Sequence, residues 1–274
     1  MSKRPYALQD LTWVEFAERR AGQPVIVLPL GSQEEQGPHA PMGDFVVAER
    51  IALAAAERAG AICAPVLPFG YAEFFRGIPG GIQLRADTFV RVLEDMIGAF
   101  LDHGLNRVVI VNGHTTNASL IAQVAHKIRR ERGIMVPNLN LWRLMPDTLW
   151  AELHGVDAQA ARGHGADPLT SVTMHLTPDL IRHDLMARPD RRAAFGLATS
   201  GQFASVDYKG APVELPLDVT DVAANGIGSG DPARASAPIG AAMTEWLARY
   251  VADFLDYFRA CDPADWNAAP VPAA

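Results

Sequence analysis

Apolar positions follow two periods that alternate along most of this chain. Pro24 to Leu30 (PVIVLPL) is a β-branched apolar run that stops at Gly31. Residues 46–59 (VVAERIALAAAERA) change to apolar positions at helical spacing and end at Gly60. The alternation then repeats. Ala61 to Leu67 reads as a second buried strand. Asp87 to His103 reads as an amphipathic helix with Phe89, Val92, Leu93, Met96, Ile97 and Phe100 on one face and Gly104 as its C-cap. Arg107 to Val111 is a third strand, Ala118 to Arg132 a helix, and Ile134 to Leu141 a fourth strand. Strands that are apolar throughout, alternating with helices, predict an α/β fold. The expected form is a three-layer αβα sandwich with a mostly parallel, Rossmann-like sheet.

Past residue 141 the pattern weakens. Residues 142–168 are less regular, and Leu169 to Leu176 reads as a helix followed by Pro178. Residues 185–230 read as long loops with short strands, and Ala235 to Phe258 as a long amphipathic helix. No repeat occurs and no linker separates two cores. The expectation is one domain over 1–260, with 261–274 a loose tail.

Composition narrows the function classes. Of the 274 residues 49% are hydrophobic, enough for a sizeable core, and the net charge is −7. An acidic chain lacks the basic footprint of a nucleic-acid binder. Cys63 and Cys261 are far apart and read as reduced thiols. The N-terminus shows no apolar leader, and no run approaches the roughly 18 apolar residues of a membrane span. A cytoplasmic protein that meets a small molecule is expected, with neither a membrane nor a nucleic-acid partner.

Three segments carry candidate chemistry. The first, GSQEEQGPHAPMGD (Gly31–Asp44), follows a buried strand, where open α/β sheets place ligands. It gathers Glu34, Glu35, His39 and Asp44, and carboxylate with imidazole suits Zn²⁺, Mn²⁺ or Fe²⁺. The second, NGHTTN (Asn112–Asn117), puts His114 at the end of another strand, facing the same crevice. The third, GHGADPLTS (Gly163–Ser171), sets His164 and Asp167 at the start of a short helix. Its dipole favours an anion or a developing oxyanion, although Asp167 serves equally as a plain N-cap. Trp142 and Trp150 are expected to wall a pocket, whereas Trp13 and Trp246 read as packing residues.

Together these segments resemble the creatininase family. Its opening motif is close to G-S-x-E-x-H-G-P-H-L-P followed by Asp, and its later motifs N-G-H-G-G-N and H-A-G-x-x-E-T-S are similar to Asn112–Asn117 and Gly163–Ser171. Weaker likenesses lie in PFGYAEF, IPGGIQL and GIGSGDPARAS, so the resemblance runs from about residue 10 to 258. It implies metal ligands at Glu34, Asp44 and His114, with one residue deleted before Asp44. It also implies hydrolysis in which a metal-bound hydroxide attacks a carbonyl of a small cyclic substrate. His164 is the implied general acid and Glu35 the fallback base. Family members commonly form closed homo-oligomers, so a hexamer is expected. Phe74, Phe75 and Ile78 read as too apolar for a free surface.

The departures are equally specific. Gln36 stands where the family has a His, Leu169 where it has a Glu, and Thr116 where creatininase has a carboxylate. One tight divalent metal is therefore expected, with the second site impaired unless Glu35 or Asp167 completes it. Gln36, His39, Thr116 and Asp167 are left as substrate-facing or supporting positions. Amide (C–N) hydrolysis is the leading reading. C–C hydrolysis of a cyclic diketone, as in the creatininase-like 3-dehydro-scyllo-inosose hydrolases, is the alternative. A non-catalytic small-molecule-binding protein is a further one, against which stands the absence of GxGxxG after the first strand.

Overall fold

The computed structural model describes residues 5–199 and 204–270. After the helix α1 (Trp13–Arg20) the core begins with β1 (Ile26–Leu30) and α2 (Phe45–Ala59), then β2 (Ile62–Cys63) and α3 (Ala86–Asp102). It continues through β3 (Val108–Asn112), α4 (Ala118–Arg132) and β4 (Asn138–Asn140). The sheet order is β2-β1-β3-β4, and every pairing is parallel.

Successive residues of a strand face opposite sides, and both sides are apolar here. Ile26, Leu28, Val108 and Ile110 face α3 and α4, packing on Phe89, Leu93, Ile97, Ile121 and Val124. Val27, Val109 and Val111 face the other way, towards Ile51 and Ala55 of α2 and Met243 and Leu247 of the long helix α10 (Ala237–Arg259). The result is the three-layer sandwich read from the sequence.

Between β4 and α10 (Ala237–Arg259) lie α5 (Leu141–Leu144), α6 (Asp147–His154), α7 (Ala158–Ala161), α8 (Leu169–Leu176) and α9 (Val219–Val222). The same stretch holds two small antiparallel pairs, β5 (Ala193–Ala194) with β6 (Leu197–Ala198) and β7 (Ser205–Tyr208) with β8 (Ala211–Glu214). Among the described residues no helix is long and apolar enough to cross a membrane.

Four expectations need correction. The second and fourth strands are shorter than Ala61–Leu67 and Ile134–Leu141. Each segment contains a proline, Pro65 or Pro137, that has no N–H to give to a ladder. Trp13 is 81% exposed and is no packing residue. Phe74, Phe75 and Ile78 pack inward with Ala72 and Val219, leaving Phe75 only 2% exposed. They form no surface patch, and the expected hexamer loses that support. The tail is tied at two points: the Met135 N–H donates to the Pro263 carbonyl (2.9 Å), and Arg129 lies over the Trp266 ring. Its last four residues lie outside the described residues.

Candidate metal centre

The register of β1 against β3 puts Leu30 opposite Asn112, so both strands end at one edge of the sheet. The Gly113 N–H donates to the Leu30 carbonyl (2.8 Å) and locks the two exits together. Asn117 ties in a third loop. Its amide nitrogen donates to Gly31 O and Asn112 Oδ1 (both 3.2 Å), and its oxygen accepts from the Tyr71 N–H (2.8 Å). The asparagines of NGHTTN thus act as staples, and His114 is the residue they present.

Glu34 and Asp44 from the first loop meet His114 from the second, all buried, with one ligand atom from each lying within 4.8 Å of the others. His114 Nδ1 is 2.9 Å from Asp44 Oδ2 and 3.1 Å from Glu34 Oε1. Its other nitrogen, Nε2, is 3.1 Å from the Tyr71 carbonyl. A carbonyl can only accept, so Nε2 carries the proton of the neutral ring and Nδ1 turns a lone pair toward two carboxylates. With the ring neutral, three acceptors would face one another with no donor among them. Glu34 Oε2 is buried and has no hydrogen-bond partner.

Such a donor set could hold a cation. Two carboxylates and an imidazole suit Zn²⁺ or Mn²⁺, and a ligating imidazole usually gives its far N–H to a carbonyl, as His114 does to Tyr71. Titration points the same way. Burial raises the Asp44 carboxyl to about 6. Burial opposes charge on His114 too, yet Glu34 and Asp44 draw its pKa up to about 10. The cluster holds a proton where a cation would sit.

Glu35 faces away from this trio. Its Oε2 accepts the Gly37 N–H (2.6 Å), and its Oε1 lies 2.7 Å from His164 Nε2. The His164 ring leans on Phe75 with centroids 4.4 Å apart. Burial disfavours a charged His164, but the Glu35 carboxylate outweighs that, and the pKa is raised. The GIGSGDPARAS segment braces the pair. Gly228 N–H donates to the His164 carbonyl (3.1 Å). Gly226, at φ +76°, runs so close to Glu35 that a Cβ would stand 2.5 Å from its Oε2.

The remaining sequence candidates separate. The Gln36 amide donates to Glu34 Oε1 (3.2 Å). Asp167 fixes the first turn of α8, accepting from the Ser171 N–H (2.8 Å) and hydroxyl (2.7 Å), with His154 Nε2 3.0 Å from its Oδ2. That is the capping role. Thr116 lines the cavity, with its hydroxyl on the Tyr71 carbonyl beside His114. His39 is buried behind the site, its Nε2 3.0 Å from Thr170 Oγ1, with a pKa that burial lowers.

The trio and His164 open into one cavity of about 500 Å³. Trp142 and Trp150 wall it as expected, together with Phe75. The Trp142 ring nitrogen donates to the Gly113 carbonyl, beside His114. Sequence reasoning missed Phe75 as a wall, the Tyr71 carbonyl, and the cavity residues Arg143 and Arg162. The PFGYAEF motif was the available signal for Tyr71, because its Pro-Phe-Gly-Tyr stretch follows neither a helical nor a strand period.

Residues 9–255 match the family described as creatininase, creatinine amidohydrolase. The creatinine amidohydrolase of Pseudomonas putida is 31% identical over 201 residues, covering 67% of this chain and 76% of that protein. The 3-dehydro-scyllo-inosose hydrolase of Thermotoga maritima is 26% identical over 180 residues, covering 64% and 58%. A crystal structure of creatinine amidohydrolase superposes with a TM-score of 0.76 at 26% identity, over 92% of this chain and 97% of that one. A mutant creatininase of Zn-Zn type gives 0.75 at 25% identity over 92% and 97%. A creatininase described as Mn gives 0.75 at 26% over 92% and 98%.

Proposed function

The chain belongs to the creatininase family, and from that premise we propose that it hydrolyses a C–N bond of a small cyclic amide, with one divalent cation on Glu34, Asp44 and His114. The observation that carries this reading is the buried convergence of three acceptors, one with an orphaned oxygen, on a cavity that also holds a charged-prone imidazole. A Zn²⁺ or Mn²⁺ ion there supplies Lewis acidity, which polarises a carbonyl and acidifies a water beside it.

The protein groups do the rest. Tyr71 fixes the tautomer of His114, and Gln36 orients Glu34. Trp142, Trp150 and Phe75 hold a flat ring and exclude bulk water. His164, whose pKa Glu35 raises against the opposing effect of burial, gives its proton to the departing nitrogen as the C–N bond breaks, and the water adds to the carbon to leave a carboxylate and an amine. An amine is a poor leaving group without that proton, which is why the pair favours amide over diketone chemistry. Glu35 has no edge on the cavity and acts through His164.

One tight cation is the stoichiometry these residues support. Gln36 and Thr116 offer only neutral oxygens, and the carboxylates of Asp167 and Glu35 are already engaged. The test is a panel of cyclic amides and cyclic diketones offered to the zinc- or manganese-loaded protein. Ring opening with release of an amine is expected. Opening of the diketones alone would replace this reading with C–C hydrolysis, the chemistry named for the Thermotoga maritima relative.

A further inference from the structure

The outer part of the cavity carries two guanidinium groups, Arg143 of α5 and Arg162 just after α7. Arg162 is held in place. Its Nη2 lies 2.6 Å from Asp147 Oδ1, and its guanidinium carbon stands 4.3 Å from the Trp150 ring centroid. Its Nε is buried with no acceptor, so the protein does not satisfy all of its donors. Arg143 is exposed at the cavity mouth and pairs with no acid among the described residues.

The charges around the cavity resolve one by one. A divalent cation offsets Glu34 and Asp44. Asp147 is matched by Arg162. Glu35 is matched by His164, and Asp167 is held by the Ser171 N–H and hydroxyl with its charge on the side of α8. Among the described residues Arg143 is the cation on this cavity that no acid pairs with.

Building on the hydrolase reading of this cavity, we propose that the substrate bears a carboxylate and that Arg143, with Arg162 beside it, is its recognition arm. A guanidinium matches a carboxylate bidentately. A single guanidinium without an acid partner suits a carboxylate better than a phosphate monoester, which carries nearly two negative charges. The carboxylate would hold the ring at its far end while the carbonyl to be attacked reaches the Glu34, Asp44 and His114 end.

Matched ring pairs test this by calorimetry: pyroglutamate against pyrrolidinone, and dihydroorotate against dihydrouracil. Each pair differs by the carboxylate alone. On the zinc-loaded protein at least one acid should bind about tenfold or more tightly than its neutral partner, in keeping with a charge-assisted contact. Arg143→Ala should remove most of that preference, and Arg162→Lys, which keeps the charge but loses the fork, should remove part. Asp147→Asn, which frees Arg162, should strengthen acid binding. Melting curves check that each variant is folded.

The same titrations on metal-free protein separate the two ideas. If no zinc binds and no ring opens, the hydrolase reading fails, yet the Arg143-dependence of acid binding is still read out. A preference that survives Arg143→Ala means that the carboxylate sits on the metal or elsewhere, and overturns the proposal. So does the failure of both acids to bind at millimolar concentration.

Discussion

Glu34, Asp44 and His114 come from loops that leave neighbouring parallel strands, whereas Trp142, Arg143, Trp150, Arg162 and His164 come from residues 141–168, which contribute no strand to the sheet. The first wall inherits its geometry from strand register. Once Leu30 stands opposite Asn112, the residues just beyond them meet. The second wall has no such ladder. It is fixed by α8 bearing on α10, by Asp167 on Ser171, and by the Gly226–Gly228 segment behind Glu35 and His164. A register-built wall resists change as a unit, while a wall of separate contacts can be altered one contact at a time. That suits a family whose members include both a creatinine amidohydrolase and an inosose hydrolase.

The comparison predicts unequal sensitivities. His114→Ala strikes the register-built wall and should lower hydrolysis by about a thousandfold or more, with loss of bound metal and little change in melting temperature. Retention of metal would move the centre elsewhere. Glu35→Gln strikes the other wall and should lower kcat by about tenfold to a hundredfold at neutral pH. The sign of its pH effect follows from His164, whose pKa is raised by Glu35. Activity that needs protonated His164 is lost as pH rises through that pKa, so removing the carboxylate moves the alkaline limb to lower pH. An unmoved limb would remove His164 from the role of acid.

Two smaller effects concern packing. In α10, Gly240 lies so close to α8 that a Cβ would stand 1.8 Å from the Ser171 carbonyl. Gly240→Ala should therefore cost about 1–3 kcal/mol of stability by forcing the two helices apart, and should reduce activity through Asp167 and the second wall. Denaturant unfolding with parallel assays checks both. Trp13→Ala, at an 81% exposed position, should change stability by no more than about 0.5 kcal/mol.

The same division decided what could be read in advance. The helices at Ala118–Arg132 and Leu169–Leu176 appear with the expected bounds, because periodicity and a following Gly133 or Pro178 define them locally. The trio was legible because strand ends point to a crevice and the residue types there are metal ligands. The lengths of β2 and β4 were not, since the apolar runs extend beyond the point where Pro65 follows the one ladder and Pro137 precedes the other. Phe75 read as surface because its cover, Val219, lies 144 positions away in a segment without periodicity. Arg143 and Arg162 had no signal at all. Isolated arginines in irregular sequence become informative only when the fold places them on the cavity with Trp150 and Asp147.

The central claim is a single tight cation on Glu34, Asp44 and His114. Zinc titration of chelator-treated protein against a competing indicator, with ring-opening activity followed in parallel, tests it most directly. One tightly bound equivalent per chain, with activity returning in proportion, is the predicted result. Protein that binds no metal and keeps its activity through chelation would contradict the metal centre, and a second equally tight equivalent would contradict the single site.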